Sequence, residues 1–95
     1  MNLPTIDTYG RYSSGNYGAH CLRVDFDNLT LWYSYSTIIA FRGGGYGRVV
    51  RQNDWSTTTG KHLNAIDGGD KKARVPGEKF EAMLQDALKK LGLSN

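Results

Sequence analysis

The stretch Ala19–Arg42, AHCLRVDFDNLTLWYSYSTIIAFR, decides the fold. It reads as two strands folded back on each other at Asp27-Asn28, followed by a third, more apolar strand. Asp and Asn tolerate the left-handed backbone that a two-residue hairpin turn needs. That turn sets Phe26 opposite Leu29, Val24 opposite Leu31, Leu22 opposite Tyr33 and His20 opposite Tyr35. Side chains alternate across a strand, so this set shares one face. A one-residue slip would send all of it to the other side, which pins the register. The second face sets Asp25 against Thr30, Arg23 against Trp32 and Cys21 against Ser34. It is mixed, and Arg23 across from Trp32 has the placement of a cation–π pair, worth roughly 0.5–1 kcal/mol when exposed. A polar face carrying a Trp is either partly covered by a helix or open to a partner.

Working outward, Thr37–Phe41 is too apolar for a half-exposed strand and belongs near the centre of the sheet. Gly43-Gly44-Gly45 turns the chain into a further strand, Tyr46–Gln52. Upstream, YGRYSSGNYG (Tyr9–Gly18) predicts a short edge strand over Tyr9–Ser13 and then a turn, with Tyr9, Tyr12 and Tyr17 capping the core. Downstream, the period changes. Ser56 or Thr57 opens a helix that runs to about Asp67 and stops at Gly68-Gly69, with Leu63 and Ile66 as its thin apolar stripe. Three Thr and Gly60 are poor helix formers, so tertiary contacts must hold it. Pro76 opens a last helix. There Phe80, Met83, Leu84, Ala87, Leu88 and Leu91 form one continuous apolar stripe, and Gly92 ends it.

The expected fold is α+β, one domain over residues 1–95. An antiparallel meander sheet of four or five strands carries one short helix and a C-terminal amphipathic helix. The latter packs on the Leu22, Val24, Phe26, Leu29 and Leu31 face, because an apolar sheet face needs a lid.

Composition narrows the class. The chain has 95 residues, 12% of them aromatic, which supports one modest core. No apolar run reaches the eighteen or so residues that span a bilayer. The opening MNLPTIDTYG lacks a charged and then apolar leader, and a single Cys21 forbids an internal disulfide. The expectation is therefore a cytoplasmic protein. Net charge is +3, and the excess lies mid-chain: Arg42, Arg48, Arg51, Lys61, Lys71, Lys72 and Arg74 against Asp54, Asp67 and Asp70. Such a balance permits contact with nucleic acid or with an acidic protein.

Catalytic and cofactor motifs fail on spacing. Gly43-Gly44-Gly45-Tyr46-Gly47 lacks the dinucleotide-binding spacing and opens a strand, so no helix end faces a phosphate. The phosphate-cradle pattern breaks at Trp55, where a Gly is required, and at His62, where Ser or Thr would hold magnesium. His20 and Cys21 are neighbours on a strand and point to opposite faces, which leaves only Cys21 with distant His62 as a nucleophile pair. Two His and one Cys are too few for a metal cluster, and Asp67 with Asp70 reads as a turn. No cofactor and no enzymatic activity are expected. Thr57, Thr58, Thr59, Lys61 and His62 stand where the first turn of a helix holds a small anion.

Two runs, YSSGNYGAH (Tyr12–His20) and NDWSTTTGKHLNAIDGGDKKARVP (Asn53–Pro76), carry a resemblance. With the strands between them the chain resembles small accessory proteins of tailed bacteriophages and prophages from about Tyr9 to Leu88. The resemblance implies a protein that binds a host or phage macromolecule, some members of that broad class blocking host defence systems, CRISPR effectors among them. It assigns no catalytic residue. The expected function is a non-catalytic binder of a host macromolecule, a protein before a nucleic acid. Its contact residues are expected to be Arg23, Trp32, Tyr46, Arg48, Trp55, Lys61 and His62, since aromatics and Arg dominate binding hot spots. The alternative is a nucleic-acid binder using Arg42, Arg48, Arg51, Lys61, Lys71, Lys72 and Arg74, whose Arg42–Arg51 loop has the Gly, Arg and aromatic mixture of single-strand binders.

Overall fold

The computed structural model describes residues 5–9, 21–26, 28–53 and 57–92. Five strands run in sequence order across one antiparallel sheet: β1 (Thr5–Thr8), β2 (Cys21–Asp25), β3 (Leu29–Ser34), β4 (Thr37–Gly43) and β5 (Tyr46–Val50). Two helices follow, α1 (Thr57–Asp67) and α2 (Gly77–Lys90), separated by a 3-10 turn at Lys71–Ala73. The fold is α+β.

The β2–β3 pairing follows the register that the Asp-Asn turn demands: Leu22 opposite Tyr33, Arg23 opposite Trp32, Val24 opposite Leu31 and Asp25 opposite Thr30. The Phe26 amide closes the turn on the Leu29 carbonyl at 2.7 Å. Asp27 and His20 lie outside the described residues. The edge strand is earlier than expected. Thr5–Thr8 pairs with β2, whereas Tyr9 is already outside the strand and buried; residues 10–13 of the expected strand lie outside the described residues.

Tyr35 does not extend β3. It occupies the two-residue turn to β4 with φ of 56°, a left-handed conformation that hairpin turns use and that a Tyr does not advertise. Further along β4 the register shifts, so Trp32 faces Ala40 while Tyr33 faces Ile38. Ile39 is the extra residue. Ile39 and Ala40 consequently sit together in one core cluster, both fully buried, where strict alternation would part them.

Alternation otherwise divides the core in two. Leu29, Leu31, Phe41 and Val49 face α2 and pack with Phe80, Leu84 and Ala87. Trp32, Ala40 and Val50 point the opposite way and pack with Tyr9 and with Leu63 and Ile66 of α1. Both faces of the sheet are therefore covered, and the lid sits one strand over from its expected place. Val24 is only partly buried against it, Leu22 is not in its cluster, and Phe26 stays 40% exposed. The physical reason is reach. A fourteen-residue helix covers only a few strands of a five-stranded sheet, and the bulkiest neighbours, Phe41 and Val49, draw it toward β4 and β5.

The glycine run explains how α2 is seated. Gly44, with φ of 60°, lies so close to α2 that a Cβ there would come within 2.5 Å of the Ala87 Cα. Tyr46 then donates its hydroxyl to Asp86 at 2.7 Å, and Lys90 pairs with the same carboxylate at 3.0 Å. The Asp86 bond holds the Tyr46 phenol above its ordinary pKa. Gly44→Ala must move backbone rather than a flexible side chain, and it strains a left-handed residue at a cost of roughly 1–3 kcal/mol. A melting curve for that variant should drop by several degrees; an unchanged midpoint would mean the turn does not rest on α2.

Candidate functional site

Beyond β5 the chain builds a recess between three elements. The end of β5 is held by a parallel bridge between Arg51 and Val75, with the Gln52 amide donating to the Val75 carbonyl at 2.8 Å and the Val75 amide to the Val50 carbonyl at 2.9 Å. This brings Gln52 and Asn53 against the first half of α1. On α1, Lys61 and Asn64 are three residues apart and share a face. After α1, Gly68 and Gly69 take left-handed backbone (φ of 67° and 88°) and reverse the chain. That reversal returns Lys71 and Arg74 alongside the helix.

The result is a cleft of about 630 Å³ lined by Gln52, Asn53, Gly60, Lys61, Asn64, Lys71 and Arg74. Among the described residues, its lining contains three cations, three primary amides and no carboxylate. The first turn of α1 also lacks an acidic residue, and the helix dipole makes that end favourable to negative charge.

Arg74 forms the wall that holds this shape. Its Nε donates to Asp67 Oδ2 at 2.7 Å, and its Nη2 donates to Asp67 Oδ1 at 2.9 Å and Asn64 Oδ1 at 3.0 Å. Both side chains of the pair are about 5% exposed or less. The Arg74 bonds, chiefly, pull the Asp67 carboxyl below its usual range, with the Gly69 amide at 2.9 Å helping. Arg74 is therefore a buried structural cation whose charge is already answered. Asp67 acts as a turn and ion-pair residue, as its position beside Gly68-Gly69 suggested. The helix end gains a second arginine: Arg48 Nη1 donates to the Ile66 carbonyl at 2.7 Å, serving an orphan carbonyl for which the last turn of α1 offers no basic residue of its own.

The remaining expected residues scatter. Trp32 is 9% exposed, in the α1-side core. His62 is fully buried and its Nδ1 lies 2.7 Å from Ser34 Oγ, which in turn lies 3.2 Å from Thr59 Oγ1. Both are packing residues, which removes them and Thr59 from any contact surface. A Trp on a mixed strand face belongs inside once a helix covers that face. Tyr46 belongs to the clasp on α2. Arg23 is exposed, its Nε donating to Asp25 at 2.9 Å. Arg51 reaches α2 instead of the cleft, pairing with Glu81 at 3.1 Å beside Gly77. Arg42 stands at the other end of the sheet, in a smaller recess with Asp25 and Phe26, and Lys72 is exposed on the 3-10 turn outside the cleft lining. Trp55 lies outside the described residues.

Of the two expected sets, then, Lys61, Lys71 and Arg74 come together. Gln52, Asn53, Asn64 and Gly60 were missed, because amides on loops and a glycine in a helix carry no pattern until the chain reversal at Gly68-Gly69 gathers them. Gly43-Gly44-Gly45 turns the chain from β4 into β5 as expected, and its glycines also serve close backbone approach, at Asn28 for Gly43 and at Ala87 for Gly44. The register sets Cys21 across from Ser34, the hydroxyl that His62 engages. Among the described residues no group of three His, Cys, Asp or Glu is placed to hold a metal ion, and no helix is long and apolar enough to cross a membrane.

The chain belongs to DUF8033, a family of unknown function that matches residues 1–82, from the sheet through the first turns of α2. No curated protein and no solved structure matches it.

Proposed function

We propose that this member of DUF8033 is a non-catalytic binding protein, of the phage accessory kind that its sequence resembles, acting in the host cytoplasm on nucleic acid. The supporting observation is the cleft beside α1, where Lys61 and Lys71 flank amide groups and no carboxylate lines it among the described residues. Phosphates pair with Lys and displace counterions, which makes cationic recesses natural seats for a polyanion. Two of the groups expected to anchor a protein interface, Trp32 and His62, are buried in the core.

A second reading, a host protein such as a CRISPR effector or another defence component, draws on one other feature. Ile6 and Phe26 remain 65% and 40% exposed on the β1–β2 side of the sheet, and exposed apolar groups of that kind mark protein contacts.

Salt separates the two. Anisotropy of a labelled oligonucleotide should show affinity falling about tenfold between about 50 and 200 mM salt, as a few phosphate contacts require. Lys61→Ala and Lys71→Ala should each flatten the log–log slope by about 0.7–1. A slope that neither variant changes would reject the cleft as the binding surface, and a salt-insensitive complex with a host protein would favour the second reading.

A further inference from the structure

We infer that the cleft seats the terminal phosphate of a nucleic-acid strand on Arg74 Nη1 and Lys71; this rests on the nucleic-acid reading above. The Arg74 guanidinium spends Nε and both hydrogens of Nη2 inside the fold, on the Asp67 carboxylate and on Asn64 Oδ1. Nη1 has no acceptor among the described residues, yet it is not sealed away from solvent. The side chain as a whole is 4% exposed and lines the cleft. Nη1 is thus a donor at the edge of a buried group, with nothing in the fold to receive its hydrogens. Lys71 comes beside it because the Arg74 amide closes the 3-10 turn on the Lys71 carbonyl at 3.3 Å. Lys71 is exposed and has no carboxylate partner among the described residues. The acids whose charge reaches Arg74 are Asp67, bonded along the Nε and Nη2 edge, and Asp70, which stays outside the cleft lining.

Asp67 and Asn64 fix the guanidinium in advance, so a ligand loses little binding energy in ordering it. A donor set into the wall of a recess suits a group that enters end-on. An internal phosphodiester carries a sugar on each side, and both must clear the rim. A terminal phosphate carries a sugar on one side only, presents three acceptor oxygens and bears about 1.5–2 negative charges at pH 7. It therefore reaches Nη1 more easily and gains more from Lys71 beside it.

The test uses the full chain and one single strand in three forms, at fixed ionic strength: with a 5′-phosphate, with a 3′-phosphate, and with hydroxyls at both ends. Either phosphorylated form should bind about tenfold more tightly than the hydroxyl form, the scale of one charge-assisted hydrogen bond. Lys71→Ala, at an exposed position, should cut that preference severalfold. Arg74→Lys keeps a cation for Asp67 but removes Nη1, and should abolish the preference in protein whose circular dichroism shows it folded. Equal binding of the three forms, with the salt dependence intact, would overturn the inference and leave backbone-phosphate contact standing. So would full preference in Lys71→Ala or in folded Arg74→Lys protein. Thymidine monophosphate should compete only weakly, since it lacks the rest of the strand. Competition as strong as that of the phosphorylated strand itself would give the seat to a free nucleotide and overturn the strand-end assignment. Failure of all three forms to bind would take the proposed function with it.

Discussion

Asp67→Ala should destabilise the fold by about 3–5 kcal/mol, the cost of breaking a buried ion pair and leaving one charge behind. The Arg74 guanidinium would keep a single partner, Asn64, in a site where it is almost wholly shielded from water. Urea titration reads the loss directly. Replacing both members by apolar residues, Asp67→Leu with Arg74→Met, should recover most of it, because the penalty lies in the unpaired charge and not in the missing attraction. A loss below about 1 kcal/mol for the single variant would show that water reaches the pair as it does an exposed one.

The same carboxylate carries a pH signature. Its folded-state pKa is depressed, so its contribution is complete above the unfolded value near 3.9 and disappears as pH falls through the lower folded value. The parent protein should therefore lose stability as pH drops below about 4, and Asp67→Asn should lack that part of the acid limb. Since Arg74 and Asn64 also shape the cleft wall, Asp67→Ala should weaken oligonucleotide binding without touching either lysine. Parallel acid limbs in the two proteins would remove Asp67 from the explanation.

Phe80→Ala is the second large effect, about 3–5 kcal/mol. Phe80 is completely buried, and its ring meets Phe41 edge-on at a centroid distance of 5.5 Å, as Phe41 in turn meets Tyr46 at 5.6 Å. Truncation would remove the transfer free energy of the ring and leave a cavity between two elements that cannot close on it. Against a total stability of about 5–15 kcal/mol for a small domain, that is a large share. The denaturation midpoint should fall with little change in slope, because unfolding still exposes nearly the same surface. Phe26→Ala provides the contrast, expected within about 1 kcal/mol because its ring is already partly in water. Equal losses for the two would return α2 to the β2 end of the sheet.

Much of this fold follows from periods and punctuation. The Asp27-Asn28 turn with alternating Leu22, Val24, Leu29 and Leu31 dictates the β2–β3 register, since no other pairing keeps those side chains on one face. Thr57–Asp67 ends where Gly68-Gly69 allows left-handed backbone, and the Phe80-to-Leu91 stripe marks α2. These are local signals, readable because each depends on residues a few positions apart. The edge strand that pairs with β2, Thr5–Thr8, lies ahead of the expected Tyr9–Ser13 because a lone edge strand needs little hydrophobic patterning to pair.

What only the tertiary structure decided is which polar and aromatic groups face water. Trp32 and His62 look like contact residues in a linear reading, and α1 packing on the second sheet face buries both. Arg74 reads as one basic residue among seven, yet chain reversal sets it against Asp67 and fixes it as a wall. Gln52, Asn53, Gly60 and Asn64 acquire a meaning only as neighbours in space. Strand and helix periods are properties of adjacent residues along the backbone, so the chain states them by itself; burial and convergence depend on which distant segments meet, and no local pattern encodes that.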